Sequence, residues 1–89
     1  MAATAYPAPG TIRSIQRGVL SVTGSNLTAT ATVAAVNPAK ARLSFLGSSQ
    51  AGTSSEMARV ELTNSTTVTA TRQSGSTSTL VSWELVEVY

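Results

Sequence analysis

Four glutamates, Glu56, Glu61, Glu84 and Glu87, are the only acidic side chains in this sequence, and histidine, cysteine and aspartate do not occur. Most protein chemistry draws on that missing set. General acid–base catalysis uses His, Asp and Glu, and a Ser or Thr nucleophile needs a base beside it. Metal centres need clusters of His, Cys or carboxylate. The pair closest to chemistry is Glu84 with Glu87, since glycosidases work with two carboxylates. These two lie three residues apart in a stretch of strand character, where successive side chains alternate between faces. They point to opposite sides and cannot flank one bond. A phosphate-binding glycine loop with its lysine, a dinucleotide fingerprint and a nucleophile elbow are also missing from the sequence. No catalytic residue, no cofactor and no metal ligand is therefore expected. The chain reads as a binding or building part and not as an enzyme.

Hydroxyls take the place of those groups. The chain has 13 serines and 14 threonines among 89 residues, 42% hydrophobic residues and only 11% charged ones. Ordinary domains carry about 25% charged residues. Disorder goes with high charge and low hydrophobicity, the reverse of this balance. A hydroxyl-rich, charge-poor surface suits packing against other protein better than long-range steering. Trp83, Phe45, Tyr6 and Tyr89 are the only aromatic rings. The rest of the core must come from Val, Leu, Ile and Ala. One domain of this length buries only about 60–65% of its unfolded surface and is marginal alone. Small domains commonly add disulfides, a metal or oligomerisation. Without Cys and His the third route remains, so a homo-oligomer is expected, with a trimer as the best reading.

The net charge is +2, unevenly spread. Arg13, Arg17, Lys40 and Arg42 all precede the first acid, while the remainder holds the four glutamates against Arg59 and Arg72. Two arrangements fit this asymmetry, pairing across strands inside one domain or complementarity between subunits. Nucleic-acid binding would want more Lys and Arg with aromatics interleaved, so no nucleic-acid partner is expected. No 18-residue apolar run occurs, so no membrane span is expected. Residues 1–10 lack the basic region and apolar core of a secretory signal, and synthesis in a cytoplasm follows as the expectation.

The organisation is an arm followed by strands. MAATAYPAPG, residues 1–10, reads as an extended N-terminal arm, because Pro7 and Pro9 flank Ala8. The arm lies on a neighbour or on its own domain. Residues 11–89 read as one all-β domain. Leu27, Ala29, Ala31 and Val33 alternate with Thr28, Thr30 and Thr32, the pattern of a half-buried antiparallel strand. Strands are predicted over Thr11 to Val22, Leu27 to Val36, Ala41 to Leu46, Ala58 to Thr63, Thr66 to Arg72 and Thr79 to Val88. Gly18 suggests a bulge or bend in the first. Thr23-Gly24-Ser25-Asn26 is expected to close a hairpin onto the second, and Asn37-Pro38 to end it. Residues 47–55 read as a loop, Asn64-Ser65 as a tight turn and Ser74-Gly75-Ser76 as the turn into the last strand. There Val81, Trp83 and Leu85 share a face, with Trp83 the core anchor, and Leu85-Val86 interrupts the alternation in the manner of a bulge or a second buried face. Six such strands predict an antiparallel β-sandwich.

Two surfaces remain as candidates. One is the Ser/Thr strand face with the 47–55 loop, able to line a wet protein interface or hold a glycan. The other is the early basic group with the arm, which makes Tyr6, Pro7, Pro9, Arg13, Arg17, Lys40 and Arg42 the candidate interface. Asn26-Leu27-Thr28 and Asn64-Ser65-Thr66 match the glycosylation pattern, which carries no meaning without a secretory route.

The segments Ser14-Ile15-Gln16-Arg17-Gly18, Val36-Asn37-Pro38-Ala39-Lys40, residues 62–70 and residues 81–87 resemble a group of small proteins from tailed bacteriophages and prophages. The resemblance covers roughly residues 11 to 88, and none of its motifs is catalytic. It implies a virion component, either a head-decorating (cement) protein bound to the major capsid protein, or a small tail, collar or fibre protein that meets tail proteins or a host surface glycan. The strand pattern ending in a Trp strand is also similar, at the level of fold, to H-type lectin domains, six-stranded sandwiches that form trimers. The chain lacks the aromatics and acids of a sugar site, so no binding residue carries over from that likeness.

Overall fold

The structure is a computed structural model that describes residues 11–50, 57–75 and 77–89. The expected arm, with Tyr6, Pro7 and Pro9, lies outside the described residues. Six strands follow in the order β1 (Ile12–Val22), β2 (Thr28–Thr32), β3 (Ala41–Gln50), β4 (Ala58–Asn64), β5 (Thr67–Arg72) and β6 (Thr79–Val88). They form two three-stranded antiparallel sheets, ordered β1-β6-β3 and β2-β5-β4. The fold is an all-β sandwich of the kind the alternation predicts.

The core explains the pairing of the two layers. The inward residues of β6, Thr79, Val81, Trp83, Leu85 and Glu87, are all buried. Leu20 and Val22 of β1 join them, with Val68 and Ala70 of β5 and Ala58 of β4 from the opposite sheet. Central strands carry the heaviest apolar load because both their edges are paired and one face is covered. Trp83 fills the space between sheets above Gly18: a Cβ on Gly18 would stand 2.6 Å from the indole Cζ2. That close approach is what the glycine serves, and of the expected bulge or bend the bulge does not occur, since the register runs through Gly18 unbroken. The register runs without a break through Leu85 and Val86 as well. The register shifts fall instead at Ile12/Ser14, Phe45/Gly47 and Leu62/Asn64. All three lie on edge strands, where an extra residue disturbs the fewest hydrogen bonds and blunts a free edge.

Three further expectations are corrected by the structure. Thr23 to Asn26 does form a turn, with Asn26 N–H donating to Thr23 O at 3.0 Å and Gly24 at φ 56°. It does not close a hairpin: β1 and β2 belong to different sheets, and the turn carries the chain from one layer to the other. Strand β2 also stops at Thr32, well short of Val36. Beyond it the backbone turns to bridge both sheets. Val33 and Val36 donate N–H groups to Thr66 O (2.8 Å) and Ser65 O (2.9 Å). Gln16, from the other sheet, donates Nε2–H to Ala34 O (3.1 Å) and accepts Ala34 N–H at Oε1 (2.9 Å). Its amide therefore acts as a one-residue strand partner. Glu87 accepts the Asn37 N–H at 2.8 Å. These groups satisfy the backbone without a ladder. At Gly47 the expected loop is instead the second half of β3, which runs to Gln50; residues 51–56 lie outside the described residues.

One side chain ties the crossing turns together. Arg72 is 3% exposed. Its Nε donates to Asn26 O (3.0 Å), Nη2 to Gly24 O (2.7 Å) and Nη1 to Thr79 Oγ1 (2.9 Å) and to Thr77 O. A guanidinium offers five donors in a rigid fork, which suits several fixed carbonyls at once.

Candidate interaction faces

Each sheet has an outer face, and the register states what stands on it. On the β2-β5-β4 sheet, Thr28 pairs with Thr71, Thr30 with Thr69 and Thr32 with Thr67. Arg59 and Glu61 of β4 stand beside Thr71 and Thr69. Thr63, the extra residue at the β4 shift, places its hydroxyl 3.1 Å from that of Thr69. The inward positions between these threonines are Ala29, Ala31, Val68 and Ala70, so the strict alternation of residues 28–32 and 67–71 becomes one plane of hydroxyl and methyl groups. β-Branched threonines have few rotamers in a strand, which makes the plane regular.

The β1-β6-β3 sheet faces the other way. Its outer rows, read across β1, β6 and β3, are Ile15–Val86–Arg42, Arg17–Glu84–Ser44 and Val19–Ser82–Gly47, with Ile12 opposite Val88 at one end and Leu80 at the other. Antiparallel sheets with one solvated face normally carry polar residues there. Here the β3 side is polar and the β1 and β6 side is largely aliphatic. Arg17 and Glu84 form the polar centre, with Nε donating to Oε2 at 2.6 Å.

The basic candidates separate. Arg17 and Arg42 are brought onto this outer face. Arg13 sits at the β1 register shift, its Nε 3.8 Å from Glu87 Oε1 and its Cζ 5.5 Å from the centre of the Tyr89 ring. Lys40 ends the 3-10 turn Pro38–Lys40, exposed and ahead of β3. The Arg13–Glu87 and Arg17–Glu84 ion pairs both run between β1 and β6 inside the domain, the cross-strand form of the charge asymmetry.

Residue types alone did not mark the aliphatic strip. Its signal was parity: Ile15, Val19, Leu80 and Val86 fall on positions of opposite parity to the buried Leu20, Val22, Val81 and Leu85 on the same strands. On the edge strand β3, Phe45 and Leu46 at the shift are also half exposed. An open depression of about 320 Å3 is lined by Met57, Arg59, Thr71, Arg72 and Gln73. Of its two cations, Arg72 is already engaged by the crossing turns. No group of His, Cys, Asp and Glu that could hold a metal occurs among the described residues. Comparison with known protein families, with curated proteins and with solved structures finds no match for this chain.

Proposed function

We propose that this chain is a non-enzymatic structural protein of a tailed-bacteriophage particle, an oligomeric decoration or cement protein that stabilises the capsid. The observation that carries the reading is the pair of outer sheet faces on opposite sides of one small sandwich, neither of them covered by another strand among the described residues. One carries the aliphatic residues of β1 and β6 around the Arg17–Glu84 pair, and one is a threonine plane. Two such faces are what a part needs when it packs against other protein on both sides. The scarcity of charge and the phage-like segments agree with it. Many copies bound to a repeating lattice hold through avidity, so each contact need not be strong. Residues 1–10 supply an additional attachment to a neighbouring protein in the particle.

The test is occupancy. Particles assembled with tagged chain should carry it in many copies on the head, seen by gold labelling, and should lose it when residues 1–10 are removed while the truncated protein still folds. Tagged protein confined to the infected-cell lysate, with none in purified particles, overturns the proposal.

The threonine plane favours a second reading, a tail or fibre module that binds a host surface glycan through hydroxyl hydrogen bonds. It predicts saturable binding to purified host polysaccharide that is lost in a Thr30→Ala, Thr69→Ala variant. Absence of binding by the assembled protein excludes it.

A further inference from the structure

Six aliphatic side chains lie on the outer face of the long sheet, in two groups separated by the Arg17–Glu84 row, and Val86 and Val88 among them are partly buried. Ile12, Ile15 and Val19 come from β1, and Leu80, Val86 and Val88 from β6. Ile12 is 55% exposed, Ile15 46%, Val19 62% and Leu80 47%. Five of the six are β-branched, already stiff, and lose little side-chain entropy on packing. The opposite sheet of the same molecule shows what a solvent face looks like in this sequence: threonines. The strip departs from that pattern.

We infer that a second copy of this chain covers the strip, in a homo-oligomer whose rotation axis runs parallel to the strands of the long sheet. The inference rests on the structural reading above. Its first support is shape. The strip is two strands wide and follows the outer surface of paired strands β1 and β6. A sheet face of this kind can lie flat against an equivalent sheet face, as sheets do when they stack.

The second support is charge. Arg17 stands on β1 and Glu84 beside it on β6, 2.6 Å apart, in the middle of the strip. Rotating a copy about an axis parallel to the strands places the Glu84 side of one copy against the Arg17 side of the next. Each row stays level with its counterpart, so Ile15 and Val86 meet Ile15 and Val86. Rotation about an axis across the strands instead sets Arg17 against Arg17 and Glu84 against Glu84. Self-association thus has one orientation that buries aliphatic rows together and alternates the charges. The ion pair acts as a register device and not as the source of affinity.

The third support is size. Strand spacing and rise make the whole three-strand face, the polar β3 side included, about 14 by 33 Å. Closing two such faces covers on the order of 1,000 Å2, the lower limit of a specific interface. A chain too small to build a large core and too poor in charge to remain apart gains that area from its own copies.

The mass of the full chain in solution, measured by light scattering over a wide concentration range, tests this directly. Wild type is expected at a multiple of 9.1 kDa. Ile15→Lys with Val19→Lys should reduce the mass to that of one chain and leave the far-ultraviolet circular dichroism unchanged. Thr30→Lys with Thr69→Lys, on the opposite sheet, should keep the wild-type mass. Arg17→Glu alone should dissociate the oligomer, and Arg17→Glu with Glu84→Arg should restore it. A monomeric wild type overturns the inference, and so does a folded Ile15→Lys, Val19→Lys variant of unchanged mass. A monomer that still enters purified particles overturns self-association alone. An oligomer absent from particles overturns the virion reading alone.

Discussion

Gly18 lies directly beneath the indole of Trp83, so close that its missing Cβ would sit 2.6 Å from Cζ2 and 3.0 Å from Cε2. The two residues are register partners in adjacent strands, and Trp83 is the one large ring in the described core.

Gly18→Ala is therefore an overpacking change despite adding one methyl group. It should destabilise the fold by about 1–3 kcal/mol, since a packed interior must shift to admit it. Urea denaturation followed by the fluorescence of the single tryptophan measures the loss. Trp83→Phe shrinks the ring and also removes the buried indole N–H, which has no hydrogen-bond partner. The Gly18→Ala, Trp83→Phe double variant should lose less than the sum of the single losses. Additive losses would show that the two residues do not compete for the same space.

Arg72 should be the polar residue whose loss costs most. Arg72→Ala removes the donors for Gly24 O, Asn26 O, Thr77 O and Thr79 Oγ1, the last of them buried. The expected cost is about 3 kcal/mol or more, a large share of the stability of a domain this small. Arg72→Lys should recover part of it, because an ammonium meets fewer of those directions than the fork does. Gly75 packs against the same guanidinium, its missing Cβ 2.7 Å from Cζ, so Gly75→Ala should weaken the same turns. Chemical denaturation of the three variants ranks them, and an Arg72→Lys as stable as wild type would contradict the account.

The segment from Val33 to Asn37 should open locally when its side-chain partners are removed. Gln16→Ala frees both Ala34 backbone groups, and Glu87→Ala frees the Asn37 N–H. Each should cost about 1–2 kcal/mol and raise amide hydrogen exchange at Ala34 and Asn37 ahead of the β6 amides. Glu87→Gln retains an acceptor oxygen and should cost under about 1 kcal/mol. Gln16→Glu keeps an acceptor for the Ala34 N–H but can no longer donate to Ala34 O, and should fall between wild type and Gln16→Ala.

The Arg17–Glu84 pair should change its worth with assembly. In a chain made monomeric by Ile15→Lys and Val19→Lys, a double-mutant cycle with alanine should give a coupling of at most about 1 kcal/mol, the ordinary value for a solvated pair. In the assembled protein the same cycle should give a larger coupling, because the pair then has less water and a second partner. Equal couplings in both backgrounds would place the pair outside the interface.

Much of the architecture was legible in local pattern. The Thr-Ala-Thr-Ala-Thr and Thr-Val-Thr-Ala-Thr runs mark one face as polar and the other as small and apolar. Thr79 to Val88 was bounded correctly because a hydroxyl-rich turn precedes it and Trp83 anchors its alternation. Errors arose where a residue type has two uses. Gly18 fits a bulge as well as a close approach, and only the ring above it distinguishes them. Thr23 to Asn26 forms the same turn whether it joins neighbours in one sheet or crosses between layers. Strand β2 ends early because Gln16 and Glu87, distant in sequence, offer its backbone better partners than a ladder would.

The sequence by itself determined the all-β class, the approximate strand positions and the lack of the side chains on which most catalysis depends, because these follow from residue type and from a period of two. Only the tertiary structure decided which strands are neighbours, and with that which residues share an outer face. The pairing of Arg17 with Glu84 and of Ile15 with Val86 joins the first strand to the last. Contacts that close so long a loop are set by the packing of the whole core and not by any local preference. For that reason the aliphatic strip, present as single residues in two distant segments, became a surface only on folding.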